Sequence, residues 1–111
     1  MGKPRSDQLR NTLDLLVLKT LAARGRLHGY AISNHIQQAS AEELRVEEGS
    51  LYPALHRIES EGWIASEWTV SNAGRRIKVY RITAAGRKQL EREQESWARL
   101  ARGVAKVLRF V

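Results

Sequence analysis

Between Glu47 and Trp63 the chain reads EEGSLYPALHRIESEGW, and five side chains there suit ligand contact: Ser50, Tyr52, Pro53, His56 and Arg57. A hydroxyl donates to a phosphate oxygen, and a guanidinium reaches a phosphate or the acceptor edge of guanine. Proline adds stiffness rather than chemistry. A second group follows at Gly74, Arg75, Arg76 and Lys78, three cations beside a glycine in a polar turn. Together these residue types suit recognition of a polyanion.

They do not suit catalysis. His28, His35 and His56 are the only histidines, and there is no cysteine. His28 and His35 are seven residues apart on an expected helix, with no acidic residue at ligand spacing beside them. No nucleophile, base and orienting partner form a set, and no glycine loop cradles a phosphate. An enzyme is therefore not expected, nor a metal or other cofactor. The missing cysteines rule out disulfides and thiolate metal sites and suit a reducing cytoplasm.

Charge points the same way. The 111 residues carry 19 Lys+Arg against 12 Asp+Glu, a net +7, which favours nucleic acid first and an anionic membrane surface second. No acidic residue occurs from Trp68 to Leu90, a stretch that also holds Arg81, Arg87 and Lys88. Glu42, Glu43, Glu47 and Glu48 precede the quoted stretch; they would repel phosphate, so that connector should face away from a duplex. LDLLVLKTLAA faintly resembles a signal peptide, but Asp14 and Lys19 interrupt it, and it reads as a buried helix. No stretch of 18 apolar residues exists to span a membrane. The opening MGKPRS fits a myristoylation pattern but reads as part of a flexible basic arm over residues 1–10.

Four helices and a hairpin must position these groups. A first helix starts at Asn11 or Thr12, is apolar nearly all round, and ends at Gly25. A second opens near Gly29, with Ala31, Ile32, Ile36 and Ala39 on its apolar side. In the polar connector that follows, Leu44 and Val46 alternate like a very short strand. The third helix takes Ser50 as N-cap and Gly62 as C-terminal cap. Leu51, Leu55 and Ile58 form its buried stripe, leaving Tyr52, Pro53, His56 and Arg57 outside. Pro53 then falls at the third helical position, where no N–H is needed. The helix's positive end favours phosphate.

Beyond Gly62 the period changes from near 3.6 to near 2. WIASEWTV and RRIKVYRIT, joined by SNAG, make a two-stranded hairpin. Thr83 caps a final helix from Ala84 to about Leu108. Leu90, Trp97, Val104 and Val111, with Glu93, Leu100 and Val107, fall on heptad positions, apolar except at Glu93. That seam exceeds what so small a domain needs, and a partner chain is its simplest use. The fold class is mainly α with a small β-hairpin: a winged helix-turn-helix over residues 11–83, then a dimerisation helix over 84–111. The third helix would enter the major groove by its N-terminal residues.

HGYAI, GSLYPALHRIESEGWI and VYRITAAG together resemble the PadR family of bacterial transcriptional regulators, from about Leu13 into the final helix. One C-terminal helix resembles the shorter subfamily. The resemblance implies a homodimeric repressor on palindromic double-stranded DNA. It places DNA contact at Ser50, Tyr52 and Pro53, and at the wing from Gly74 onward. Release by a small-molecule effector is expected, but the resemblance does not reveal which: some members respond to phenolic acids, others to planar hydrophobic compounds, and many have no known effector.

Alternatives stand beside several of these readings. Arg57 faces either DNA or Glu61 on its own helix. Tyr52 contacts DNA or is a half-buried core tyrosine, while Tyr30 and Tyr80 read as structural. Arg81 and Arg87 divide evenly between DNA and solvent. Trp97, with Leu100 and Val104 below it, anchors the dimer core or lines an effector pocket between subunits. A rival for the whole chain is a winged-helix protein-interaction module without specific DNA binding. The two differ on whether the Ser50, Tyr52, Pro53 group shares one surface with the basic wing. Nonspecific nucleoid binding, a third reading, predicts no preferred site.

Overall fold

A computed structural model of the chain describes residues 5–109. The elements are α1 (Arg5–Arg24), β1 (Leu27–His28), α2 (Gly29–Ala39), α3 (Glu48–Ser60), β2 (Ile64–Val70), β3 (Arg76–Ile82) and α4 (Ala84–Arg109). Helix α1 starts earlier than Asn11, so the arm expected over residues 1–10 is helical from Arg5 onward. Residues 1–4, and Val111 of the heptad seam, lie outside the described residues.

Helix α1 is apolar on several sides because it packs against α2, α3, β3 and α4. Val17, Leu18 and Leu21 are fully or almost fully buried in it. Its buried Thr20 satisfies its hydroxyl locally, donating to the Leu16 carbonyl at 2.7 Å. Ile32 and Ile36 of α2, and Leu51, Leu55 and Ile58 of α3, complete the helical side of one core. Ile64, Tyr80 and Ile82 close it from the sheet.

The sheet has three antiparallel strands in the order β1-β3-β2, not two. The extra strand, Leu27–His28, pairs with Tyr80 and Val79. Two residues carry no periodicity, so only β3's open edge defines β1. Leu44 and Val46, expected as a short strand, lie in irregular backbone, and Leu44 is left exposed. The hairpin of β2 and β3 runs in register from Ile64↔Ile82 to Val70↔Arg76.

Both ends of the hairpin are fixed by specific caps. Past α3, Gly62 takes φ +80°, and its N–H donates to the Glu59 carbonyl at 2.9 Å. Trp63 N–H reaches the Ile58 carbonyl at 3.1 Å. This paired termination needs a residue free to adopt positive φ. Thr83 Oγ1 accepts the Gly86 N–H at 3.0 Å and donates to the Gly62 carbonyl at 2.7 Å, so one side chain starts α4 and ties it to the end of α3. Only the first turns of α4 join the core, through buried Gly86 and Leu90. From Glu91 onward its side chains are mostly exposed.

Candidate nucleic-acid interface

Helix α3 sorts its residues by the expected stripe. Leu51, Leu55 and Ile58 are buried, while Tyr52, Pro53 and His56 face solvent. Its start differs from the expected one. The N-cap is Glu47, whose carbonyl accepts the Leu51 N–H at 2.9 Å, and Ser50 lies inside the helix. Pro53 is therefore the sixth residue of α3, and the bond it would otherwise donate to the Gly49 carbonyl is absent. The positive end of the helix is flanked by Glu47 and Glu48, not by Ser50, so the dipole favours those carboxylates rather than a phosphate.

Arg57 is a second correction. Its Nη2 donates to Asp14 Oδ1 at 2.5 Å, across from α3 to α1, instead of turning outward or to Glu61. The Asp14 side chain is only 7% exposed. A buried carboxylate requires a charged partner, and sequence spacing could not reveal one 43 residues away. Arg57 is thus engaged by Asp14 in the folded chain, with its side chain 34% exposed.

The wing owes its shape to one turn. Gly74 adopts φ +79° and donates to the Ser71 carbonyl at 2.9 Å, while the Ser71 N–H donates to the Arg75 carbonyl at 2.8 Å. This is a three-residue hairpin loop closed by a glycine bulge. It leaves Gly74, Arg75 and Arg76 exposed at the tip.

Strand alternation then sets the faces. Ser66, Trp68 and Val70 pair with Tyr80, Lys78 and Arg76, so these six residues share one face. Arg81 lies on the opposite one. The Arg76 guanidinium stands 4.8 Å from the centre of the Trp68 ring. Lys78 Nζ lies 5.9 Å from the same ring and 5.8 Å from the Tyr80 ring. Lys78 also approaches Glu59 Oε1 of α3 at 3.9 Å, while Ser66 donates to the other oxygen of that carboxylate. The wing is thereby tied to α3.

Helix α3, the start of α2 and this wing face enclose a cleft of about 480 Å³. Tyr52 of α3, Tyr30 of α2, His28 of β1 and the wing residues Trp68, Arg76 and Lys78 line it. Tyr52 comes close because residue 29 is glycine: a Cβ there would lie 2.7 Å from the Tyr52 hydroxyl oxygen. Tyr80 forms the floor, 5% exposed. Desolvation first, then the Glu59 carboxylate and the Tyr52 phenol, raise its pKa above the ordinary value of 10.0.

The cleft thus joins Tyr52 to Arg76 and Lys78, with Arg75 at the tip beyond and Ser50, Pro53 and His56 exposed nearby on α3. Trp68, Tyr30 and His28 are additions that sequence reasoning missed. Trp68 was legible in the alternation of IASEWTV against RIKVYRI, which sets it opposite Lys78 once the register is known. Tyr30 is not the structural residue expected; it is 65% exposed, with its ring stacked 6.3 Å from that of His28.

On α4, Trp97, Leu100 and Val104 are each about half exposed, and Val107 and Leu108 more so. The lower four positions frame an open apolar groove on the helix. Among the described residues no helix is long and apolar enough to cross a membrane.

Residues 17–92 match the family model described as the transcriptional regulator PadR-like family. The chain is 41% identical over 83 residues to the transcriptional regulator Rv3488 of Mycobacterium tuberculosis, covering 75% of this chain and 74% of that protein. A transcriptional regulator from Clostridium thermocellum, Cth-833, superposes with a TM-score of 0.80 at 31% identity, over 90% of this chain and 96% of that one. A PadR family regulator from Eggerthella lenta superposes with a TM-score of 0.74 at 35% identity, over 93% of this chain and 88% of that one.

Proposed function

Because the chain belongs to the PadR-like family of transcriptional regulators, we propose that it is a homodimeric, cytoplasmic repressor that binds double-stranded DNA at a palindromic site. Members of this family are regulators of transcription rather than enzymes. One observation carries the DNA reading: Tyr52 of α3 and the cations of the wing line the same cleft. A wing that docked a protein would not need its basic face turned toward α3. Tyr52, with Ser50, Pro53 and His56 beside it, meets one half-site in the major groove. Gly74, Arg75, Arg76 and Lys78 meet the neighbouring backbone or minor groove. The dimer presents two such heads, with half-sites one or two turns apart at roughly 34 Å per turn.

The exposed apolar side of α4 supports the homodimer. Trp97, Leu100 and Val104 leave more apolar surface in water than a lone helix of a small domain retains at no cost. Trp97 offers a planar surface to a small planar or phenolic effector held between subunits. Such an effector releases DNA by favouring dimers whose heads are wrongly spaced.

The test is selection of bound genomic fragments by the purified protein at near-physiological salt, read by sequencing. A palindromic site upstream of a few genes is the expected result. Recovery of only asymmetric or AT-biased sequence would count against a specific regulator. No recovery would return the protein-interaction reading to the front.

A further inference from the structure

The cleft between α3 and the wing separates two elements with different destinations on a duplex. A recognition helix occupies the major groove, and a wing reaches the adjoining minor groove or its edge. One sugar–phosphate strand always lies between neighbouring grooves, so it must cross the space between those elements. Here that space is lined by tyrosines of α2 and α3 and by an indole and two cations of the wing.

We infer that this cleft seats the sugar–phosphate strand between the two grooves, with Trp68 packing on a deoxyribose while Lys78, Arg76 and the Tyr30 and Tyr52 hydroxyls hold its phosphate. The inference rests on the DNA reading above and specifies the class of contact made at that surface. Trp68 is 58% exposed, although its strand neighbour Ile64 is buried, so folding has not used most of its ring. Arg76 lies over that ring at 4.8 Å and Lys78 at 5.9 Å, which places both cations at the lip of the cleft before any ligand arrives. Tyr30, 65% exposed, lines the same space from α2. A guanidinium or ammonium beside an apolar ring matches a nucleotide backbone, which alternates an anionic phosphate with an apolar sugar face. A base edge asks for a different arrangement, a planar donor–acceptor pattern.

Contacts to sugar and phosphate carry no sequence information, and this gives the test. Affinity of the full chain is measured for a mixed-sequence duplex and for the site recovered by selection, over a range of salt. Trp68→Ala should weaken both by the same factor, about tenfold, the order expected for losing burial of part of an indole ring. Trp68→Phe should recover most of the loss. Lys78→Gln should lower the salt slope by about one and weaken both duplexes alike. Melting temperatures of the Trp68 variants should match the wild type, because the ring is largely in water. Wild-type affinity in Trp68→Ala, or a loss confined to the recovered site, would overturn the strand seat while leaving the DNA reading intact. Failure of the wild-type chain to bind any duplex at low salt would overturn both.

Discussion

At the scale of single residues, side chains of similar type divide by what lies within reach. Arg57 and Arg76 are both arginines near the candidate interface, yet one is spent on a buried carboxylate and the other stands over an exposed indole. Removing one partner of a buried pair leaves the other charge less fully compensated. Arg57→Ala should therefore cost roughly 2–4 kcal/mol in urea unfolding, toward the low end because the arginine is partly exposed. Asp14→Asn introduced with it should recover part of that loss. A full-stability Arg57→Ala that binds DNA poorly would reassign Arg57 to the interface. Tyr80 gives a pH prediction with a definite sign. Its folded pKa is raised, so its contribution is fully present below the unfolded value near 10 and is lost as pH rises through the folded value. Urea midpoints should fall above about pH 10, and Tyr80→Phe should fall less steeply over the same range. Parallel falls would show that other groups dominate the alkaline transition.

At the scale of elements, helix α3 shows how far a local rule carries. Glycine at its end and a buried stripe along its length were legible in the sequence, because caps and periodicity are short-range features. Its start was not. Ser50 is the better N-cap by type, but Glu47 holds the position, since the connector from α2 delivers the chain into the helix three residues earlier. The difference has a measurable consequence. Had Ser50 been the cap, Pro53 would sit where no N–H is required, and replacing it would bring no gain. As the sixth residue it interrupts the ladder, so Pro53→Ala should stabilise the fold by about 1–3 kcal/mol, restoring a bond to the Gly49 carbonyl. A neutral or lower denaturation midpoint would mean that the proline's restriction of the unfolded chain outweighs the missing bond. Retention of a destabilising proline beside Tyr52 fits a second turn held rigid for contact.

At the scale of the whole molecule, α4 decides the shape. The molecule measures 57 × 28 × 23 Å. Twenty-six residues of helix span about 39 Å, and only the first turns belong to the core. The strip from Trp97 to Leu108 is therefore a surface of the single chain and a seam of the proposed dimer. Val104→Glu should leave helicity unchanged, because Val104 is 48% exposed. It should also shift the sedimenting species from twice 12.6 kDa to 12.6 kDa. Duplex affinity should fall with it, since each head would then bind alone. An unchanged dimer would place the subunit contact elsewhere on the chain.

The sequence by itself determined the order of the long elements, the apolar stripe of α3, the Thr83 cap and the excess apolar side of α4. Each is a matter of neighbours within a few residues, where spacing and side-chain type suffice. It also placed the chain near its family through GSLYPALHRIESEGWI and its flanking motifs. Tertiary structure alone decided the rest. β1 exists only because β3 has a free edge, and Arg57 turns inward only because Asp14 of α1 is packed beneath it. Trp68, Tyr30 and Tyr52 meet across one cleft only because the core brings α2, α3 and the wing together. Those relations depend on distance in space between residues far apart in the chain, which local periodicity does not encode.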